Sequence, residues 1–215
     1  MERLILGIDE AGRGPVIGPM VICGILLRET DIPELLRIGV KDSKLLSAKK
    51  REKMKFLIEK IAQKWELIKI FPPQIDQYGI TYPQLKGIAL LINEFSPDLA
   101  VVDAPTRWCN SYERKIRSLI EDQRVKLIVE NFADKNYPVV SAASILAKVA
   151  RDSEIKKLTS FYGKIGSGYP SDKITIEFLK KCLRKNKEFP DIVRKRWKTV
   201  ERLIEQTIKE SDRLK

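Results

Sequence analysis

Three short apolar runs in this chain lead directly into acids, and a buried strand that finishes on a carboxylate is costly unless something cationic meets it. The first, Leu4-Ile5-Leu6-Gly7-Ile8, runs into Asp9-Glu10 and then a Gly12-Arg13-Gly14 turn. The second, Leu99-Ala100-Val101-Val102, stops at Asp103 before Ala104-Pro105. The third, Val125-Lys126-Leu127-Ile128-Val129, passes through Glu130-Asn131-Phe132-Ala133 to Asp134. Short apolar runs of this kind read as strands inside a sheet covered on both faces. Segments of helical spacing alternate with them, which makes the fold class α/β.

If the three runs lie side by side, their acids meet. Carboxylates about 5 Å apart repel by about 3 kcal/mol per pair at an effective dielectric near 20, so a convergent set stays ionised only around cations. Oxygen ligands in this number suit Mg²⁺ or Mn²⁺, and two such ions about 4 Å apart hold the attacking and leaving oxygens of a phosphoryl displacement. Taken singly, Asp103 and Asp134 are equally well read as turn formers or helix caps. No cap or turn calls for Asp9-Glu10 at the end of an apolar strand. Adjacent strand residues face opposite ways, so Glu10 joins Asp9 only if the strand bends or the longer arm reaches round.

Composition narrows the chemistry further. With 215 residues and 43% hydrophobic content, the chain can bury a substantial core. Forty-one Lys and Arg against 29 Asp and Glu leave a net charge of +12, which favours a polyanionic partner such as nucleic acid or an anionic membrane. Histidine is absent, which removes Ser-His-Asp and Cys-His hydrolases and histidine-bound zinc. Cys23, Cys109 and Cys182 are too few and too scattered for a disulfide framework or a zinc ribbon, and buried thiols are expected. No stretch has the length of a membrane span and the opening residues are no signal peptide, so a cytosolic protein is expected, with nothing demanding more than a monomer.

Along the chain, Val16 to Leu27 suits one or two antiparallel strands. Ser47 caps a basic amphipathic helix to about Lys64, Trp65 to Ile70 reads as a strand, and Pro72-Pro73 breaks it. Helical spacing covers Gln84 to Phe95, Ser111 to Glu121 and Val139 to Leu158. From about Thr175 two amphipathic helices follow, the first with Phe178, Leu179 and Leu183, the second with Val193, Trp197, Val200 and Ile204, parted at Phe189-Pro190. No repeat, linker or second globular domain is signalled.

Phosphate-binding loops fail on inspection. No G-x-x-x-x-G-K-[ST] occurs, and Ile17 stands where a dinucleotide fingerprint after Gly12 and Gly14 needs glycine. Ser141, Ser144, Lys148 and Arg151 fall on one helix face, either a stripe that tracks a phosphate backbone or a solvated face. Lys41-Asp42-Ser43-Lys44 reads as an ordinary loop or a phosphate contact. In Gly166-Ser167-Gly168-Tyr169-Pro170-Ser171-Asp172 a glycine turn presents a tyrosine, which either packs on a sugar or base or closes over the core.

Together, Asp9-Glu10-Ala11-Gly12-Arg13-Gly14, Lys41 to Lys44, Val101-Val102-Asp103-Ala104, Asp134 to Ser144 and the Gly166 to Asp172 loop resemble the ribonuclease HII family, most of all its archaeal branch, over nearly the whole chain. The resemblance implies an RNase H-like mixed sheet flanked by helices, with a catalytic domain over 1–174 and a small helical subdomain over 175–215 packed on it. It implies an endonuclease that cuts the RNA strand of RNA–DNA hybrids and incises at ribonucleotides embedded in duplex DNA, leaving 3′-hydroxyl and 5′-phosphate ends. Asp9, Glu10, Asp103 and Asp134 would bind two Mg²⁺ or Mn²⁺ ions. Gly12, Arg13 and Gly14 would meet the ribonucleotide, Tyr169 would sit at the ribo-to-deoxyribo junction, and Lys44 would touch the backbone. The chain departs from the family pattern at Lys173, where proline commonly follows Asp172. A processivity factor is a partner on which the sequence is silent. The rival readings are a DNA-junction nuclease of related fold and a non-catalytic basic nucleic-acid-binding module.

Overall fold

The computed structural model describes residues 2–40, 46–186 and 188–212. Strands β1 (Leu4–Ala11) and β2 (Met20–Arg28) pair antiparallel from Leu4↔Arg28 to Ala11↔Val21. On the other side of β1 lies β4 (Leu99–Asp103), parallel to it, and β5 (Lys126–Glu130) continues parallel to β4. With β3 (Lys64–Ile70) the order is β3-β2-β1-β4-β5. This is the mixed sheet that the sequence implied, and the three acid-bearing runs are its three adjacent parallel strands.

Helices cover both faces. Helix α7 (Pro138–Tyr162) starts on the face that carries Ile5, Cys23, Ile25, Leu27, Leu99 and Val101, and adds Val139, Val140, Ala143 and Leu146 to that core. Its first turn lies directly on Gly7, where a Cβ would stand 2.5 Å from the Val139 carbonyl carbon; only glycine fits under it. Helix α4 (Thr81–Phe95) covers the opposite face, with Leu91 against Gly24 and Gly87 against Ile22. Between β4 and β5, α5 (Cys109–Arg117) packs on β5 and α4.

The remaining helices are α1 (Ile32–Arg37), α2 (Ala48–Ile61), α3 (Pro72–Tyr78), α6 (Ala133–Asn136), α8 (Lys173–Asn186) and α9 (Lys198–Asp212). Ser47 does cap α2, its hydroxyl accepting the Lys50 N–H at 3.3 Å. Pro72 and Pro73 end β3 and open α3, because the first helical turn needs no N–H from them. Cys23 is buried, Cys109 and Cys182 are half-buried, and all three are free thiols. No described helix is long and apolar enough to cross a membrane.

Contacts group the chain into two compact units, neither contiguous in sequence, whereas the division expected from sequence falls at one point after residue 174. The first comprises Met1–Ala11, Val21–Lys69 and Thr81–Ala150, and holds the sheet. The second comprises Gly12–Met20, Ile70–Ile80 and Arg151–Lys215, with its own core of Val16, Ile17, Ile165, Leu179, Val193 and Val200. Of the one or two strands that Val16 to Leu27 suits, the segment holds one, since Ile17 lies outside the sheet and bridges Val193. One local reading changes. The last helix accordingly begins at Lys198, and Val193 is extended despite its helical spacing: the bridge is closed on either side of it by the Gly18 N–H to Ile192 carbonyl bond at 2.8 Å and the Arg194 N–H to Val16 carbonyl bond at 2.9 Å, while its own N–H donates to the Pro190 carbonyl at 3.0 Å.

Candidate active site

Ile8 and Val102 are register partners on parallel strands, so the next residue along each, Asp9 and Asp103, emerge side by side. Both continue the α7-facing rows, after Gly7 on β1 and Val101 on β4. Asp9 is 6% exposed, and its Oδ1 accepts the Glu10 N–H at 2.6 Å. Burial, and then the neighbouring Asp103 carboxylate, push Asp9 up to about 7, although Ser144, the Glu10 backbone N–H and Lys148 pull the other way. Ser144 and Lys148 sit one turn apart on α7. The Ser144 hydroxyl is buried and closes no hydrogen bond of ordinary length, so what it offers Asp9 is a nearby dipole.

Asp103 also reaches the loop after β5. Its Oδ1 accepts the Ala133 N–H at 2.8 Å, capping α6 one residue before Asp134, which is 5% exposed. The two loops are joined again by the Asn131 Nδ2 donation to the Ala104 carbonyl at 2.7 Å. Phe132, at φ 65, makes the left-handed turn that leads into α6, whose first turn carries Asp134. Glu130, the register partner of Asp103, accepts the Tyr137 hydroxyl at 2.9 Å.

Glu10 is placed differently. Regular pairing continues through Glu10↔Ile22 and Ala11↔Val21, so the strand does not bend before it and its side chain leaves on the face opposite Asp9. Among the described residues no group of three or more acid, cysteine or histidine side chains is arranged to hold a metal ion. The acids that demonstrably oppose one another are Asp9 and Asp103. An all-oxygen pair in mutual repulsion, Asp9 buried and Asp103 half-buried, fits a divalent cation, whose charge would remove part of the conflict that raises Asp9.

The Gly12-Arg13-Gly14 turn belongs to the second unit, where a buried arginine holds it. Arg194 is 0% exposed. Its Nη2 donates to the Gly12 carbonyl at 2.6 Å and the Gly18 carbonyl at 2.9 Å, Nη1 to Arg13 at 2.8 Å, and Nε to Gly18 at 3.1 Å. The guanidinium lies 4.9 Å over the Trp197 ring, whose indole N–H donates to the Gly14 carbonyl at 3.2 Å. Burial and then the nearby Arg151 charge lower the pKa of Arg194. Gly12 has φ +86 and a Cβ there would meet the Arg151 side chain at 2.5 Å, so glycine is required twice over.

The tyrosine loop is stitched to the same turn. The Gly168 carbonyl accepts N–H bonds from Val16 at 2.8 Å and Ile17 at 3.2 Å. Arg151 donates to the Ser167 carbonyl at 3.1 Å, and its guanidinium lies 5.1 Å over the Tyr169 ring, which is 41% exposed. Asp172 accepts from the Ser167 and Ile174 N–H groups at 2.6 and 2.9 Å, donations that lower its pKa. These bonds supply the rigidity that proline would give at position 173, and Lys173 instead opens α8.

The sheet therefore brings Asp9 and Asp103 together, Asp134 lies in the first turn of α6, which Asp103 caps, and Glu10 stands on the opposite face of β1 from Asp9. Lys44, with Lys41 to Ser43, lies outside the described residues. The stripe on α7 is neither a solvated face nor an open phosphate track, since Ser141 and Ser144 are buried, with the Ser141 hydroxyl on the Val40 carbonyl, and Arg151 is only 6% exposed. Arg194 and Trp197 were missed from sequence. The sequence carries little signal for them, since Arg194 is the first of three consecutive basic residues, Arg194-Lys195-Arg196, between Val193 and Trp197.

A family model described as Ribonuclease HII matches residues 6–200. The chain is 44% identical over 207 residues to a ribonuclease HII of Pyrococcus furiosus, covering 94% of this chain and 92% of the relative. Its structure resembles that of ribonuclease H2 from Pyrococcus horikoshii, with a TM-score of 0.89, 37% identity, and coverage of 96% and 99% of the two chains. It also resembles ribonuclease HII of Archaeoglobus fulgidus, solved in complex with PCNA, with a TM-score of 0.84, 38% identity, and coverage of 93% and 96%.

Proposed function

We propose, since this chain belongs to the ribonuclease HII family, that it is a metal-dependent endonuclease that hydrolyses the RNA strand of RNA–DNA hybrids and incises duplex DNA at embedded ribonucleotides, leaving 3′-hydroxyl and 5′-phosphate ends. The observation that carries the reading is the apposition of Asp9 and Asp103 at the ends of parallel strands, with Asp9 pushed up to about 7. Asp9, Asp103 and Asp134, with Glu10 reaching from the far strand face, are assigned to hold two divalent ions, Mg²⁺ or Mn²⁺. Bound there, such ions supply charge neutralisation and an acidified water for attack on the phosphodiester.

The chain's own groups do the rest. The carbonyls of Gly12, Arg13 and Gly14 are engaged by Arg194 and Trp197, so the contact assigned to the turn is donation from its backbone N–H groups to a ribose 2′-hydroxyl oxygen. The half-exposed Tyr169 ring, held on Arg151, is assigned to pack on the neighbouring sugar. Lys44 is assigned to the phosphate backbone. The complex of the Archaeoglobus fulgidus relative with PCNA supports a sliding clamp as a protein partner of this chain as well.

The test is a DNA duplex carrying one ribonucleotide, incubated with Mg²⁺ or Mn²⁺. Incision at that single site, with the all-DNA duplex untouched, is the expected result. Asp103→Asn should abolish it by about a thousandfold or more while binding persists. Cutting of branched DNA instead would favour the junction-nuclease reading, and binding without any cleavage the non-catalytic module.

A further inference from the structure

The second unit carries a groove of about 1070 Å³ that takes no part in the turn or the tyrosine loop. Part of its lining is aromatic. Phe161, 82% exposed at the end of α7, meets Tyr162 edge-on at 5.0 Å, and Tyr162 meets Phe178 of α8 edge-on at 6.5 Å. Its rim is cationic, with Lys164, Lys173, Lys181, Arg184 and Lys185 against the single acid Glu177. Ile174, Phe178, Lys181 and Lys185 share one face of α8; Phe178 is half-buried against the unit's own core, which Leu179 and Leu183 enter, while Ile174 is exposed in the groove.

We propose that this groove binds single-stranded nucleic acid, its bases on the Phe161 ring and its phosphates along the lysines of α8. Charge selects a polyanion, and exposed ring faces select one whose bases are unpaired, because a duplex hides the faces that would stack. The groove is also continuous in sequence with the substrate loop: Lys173, on its rim, directly follows Asp172, whose carboxylate ties that loop to the first turn of α8. The proposal rests on the ribonuclease reading only in taking nucleic acid as the polyanion.

The experiment is an anisotropy titration of the full chain against fluorescein-labelled oligothymidylate of about twelve nucleotides, across a range of salt. Phe161→Ala should weaken binding about tenfold with an unchanged salt slope. Lys181→Glu with Lys185→Glu should weaken it and flatten the slope by about 1.4. Both variants should cut the blunt ribonucleotide duplex as the parent does, which shows that they fold. Undiminished oligothymidylate binding by Phe161→Ala overturns the proposal. So does displacement of the oligonucleotide by an oligoglutamate peptide that binds the parent more tightly, which would mark a site for an acidic protein. If the parent itself leaves the ribonucleotide duplex uncut, the ribonuclease reading fails while the anisotropy result still decides the groove.

Discussion

Asp9 in the sheet unit and Arg194 in the helical unit are both ionisable and nearly sealed from water, at 6% and 0% exposure, yet their surroundings are opposite. Arg194 donates at four contacts to three backbone carbonyls and rests on an indole. Asp9 faces a second carboxylate, with Ser144, one backbone N–H and Lys148 as partial compensation. A buried charge whose partners are all supplied by the fold is structural; one left in conflict is poised for a ligand of opposite charge. The first secures the turn, and the second is where a cation is needed.

The largest effect that would break this contrast is expected at Arg194. Arg194→Met should leave the Gly12, Arg13 and Gly18 carbonyls without donors and cost at least about 3 kcal/mol in a denaturant titration, at about 1–3 kcal/mol per buried unsatisfied group. A loss below about 1 kcal/mol would mean that the guanidinium is not structural.

Asp9→Asn should act in the reverse direction on the metal-free protein. The folded protein holds the Asp9 proton up to about 7 against an ordinary value of 3.8, so Asp9 lowers stability progressively as pH rises from about 4 to 7 and by a constant amount above that. The variant should therefore be the more stable at pH 8, by on the order of 2–4 kcal/mol, and equal to the parent near pH 3. Adding Mg²⁺ or Mn²⁺ at pH 8 should raise the melting temperature of the parent and not of the variant. Equal stability at both pH values would show that Asp9 is not in conflict.

Smaller effects sharpen the picture. Trp197→Phe keeps a ring under Arg194 but loses the bond to the Gly14 carbonyl, and should cost about 1 kcal/mol of stability while raising KM for a ribonucleotide duplex more than it lowers kcat. Tyr169→Ala removes the ring over Arg151, worth about 0.5–1 kcal/mol, and should hurt junction substrates more than long hybrids when both are compared by kcat/KM. Equal losses on the two substrates would remove Tyr169 from the junction.

Much of the sheet was legible because its signals are local. Leu4 to Ile8, Leu99 to Val102 and Val125 to Val129 announce buried strands within a few residues each, and their acids follow at once. The conflict over Glu10 was legible too, since strand alternation alone sets it opposite Asp9, and β1 keeps that alternation to Ala11. The Arg194 clamp was not legible, because its acceptors lie 176 to 182 residues away. Val193, Trp197, Val200 and Ile204 have helical spacing, but a bridge to Ile17 outweighs periodicity for the first of them. The donor stripe on α7 misled in the same way: its spacing is helical, and only packing decides that Ser141 and Ser144 point inward.

By itself the sequence determined that this chain builds a sheet with acids at its strand ends, without histidine and with an excess of positive charge, because strand propensity and charge are carried by neighbouring residues. Tertiary structure alone decided which acids meet, since parallel register sets Asp9 beside Asp103, 94 positions further along the chain. It alone made Arg194 the support of a turn at the other end of the chain, because a buried guanidinium takes whatever carbonyls the fold delivers to it.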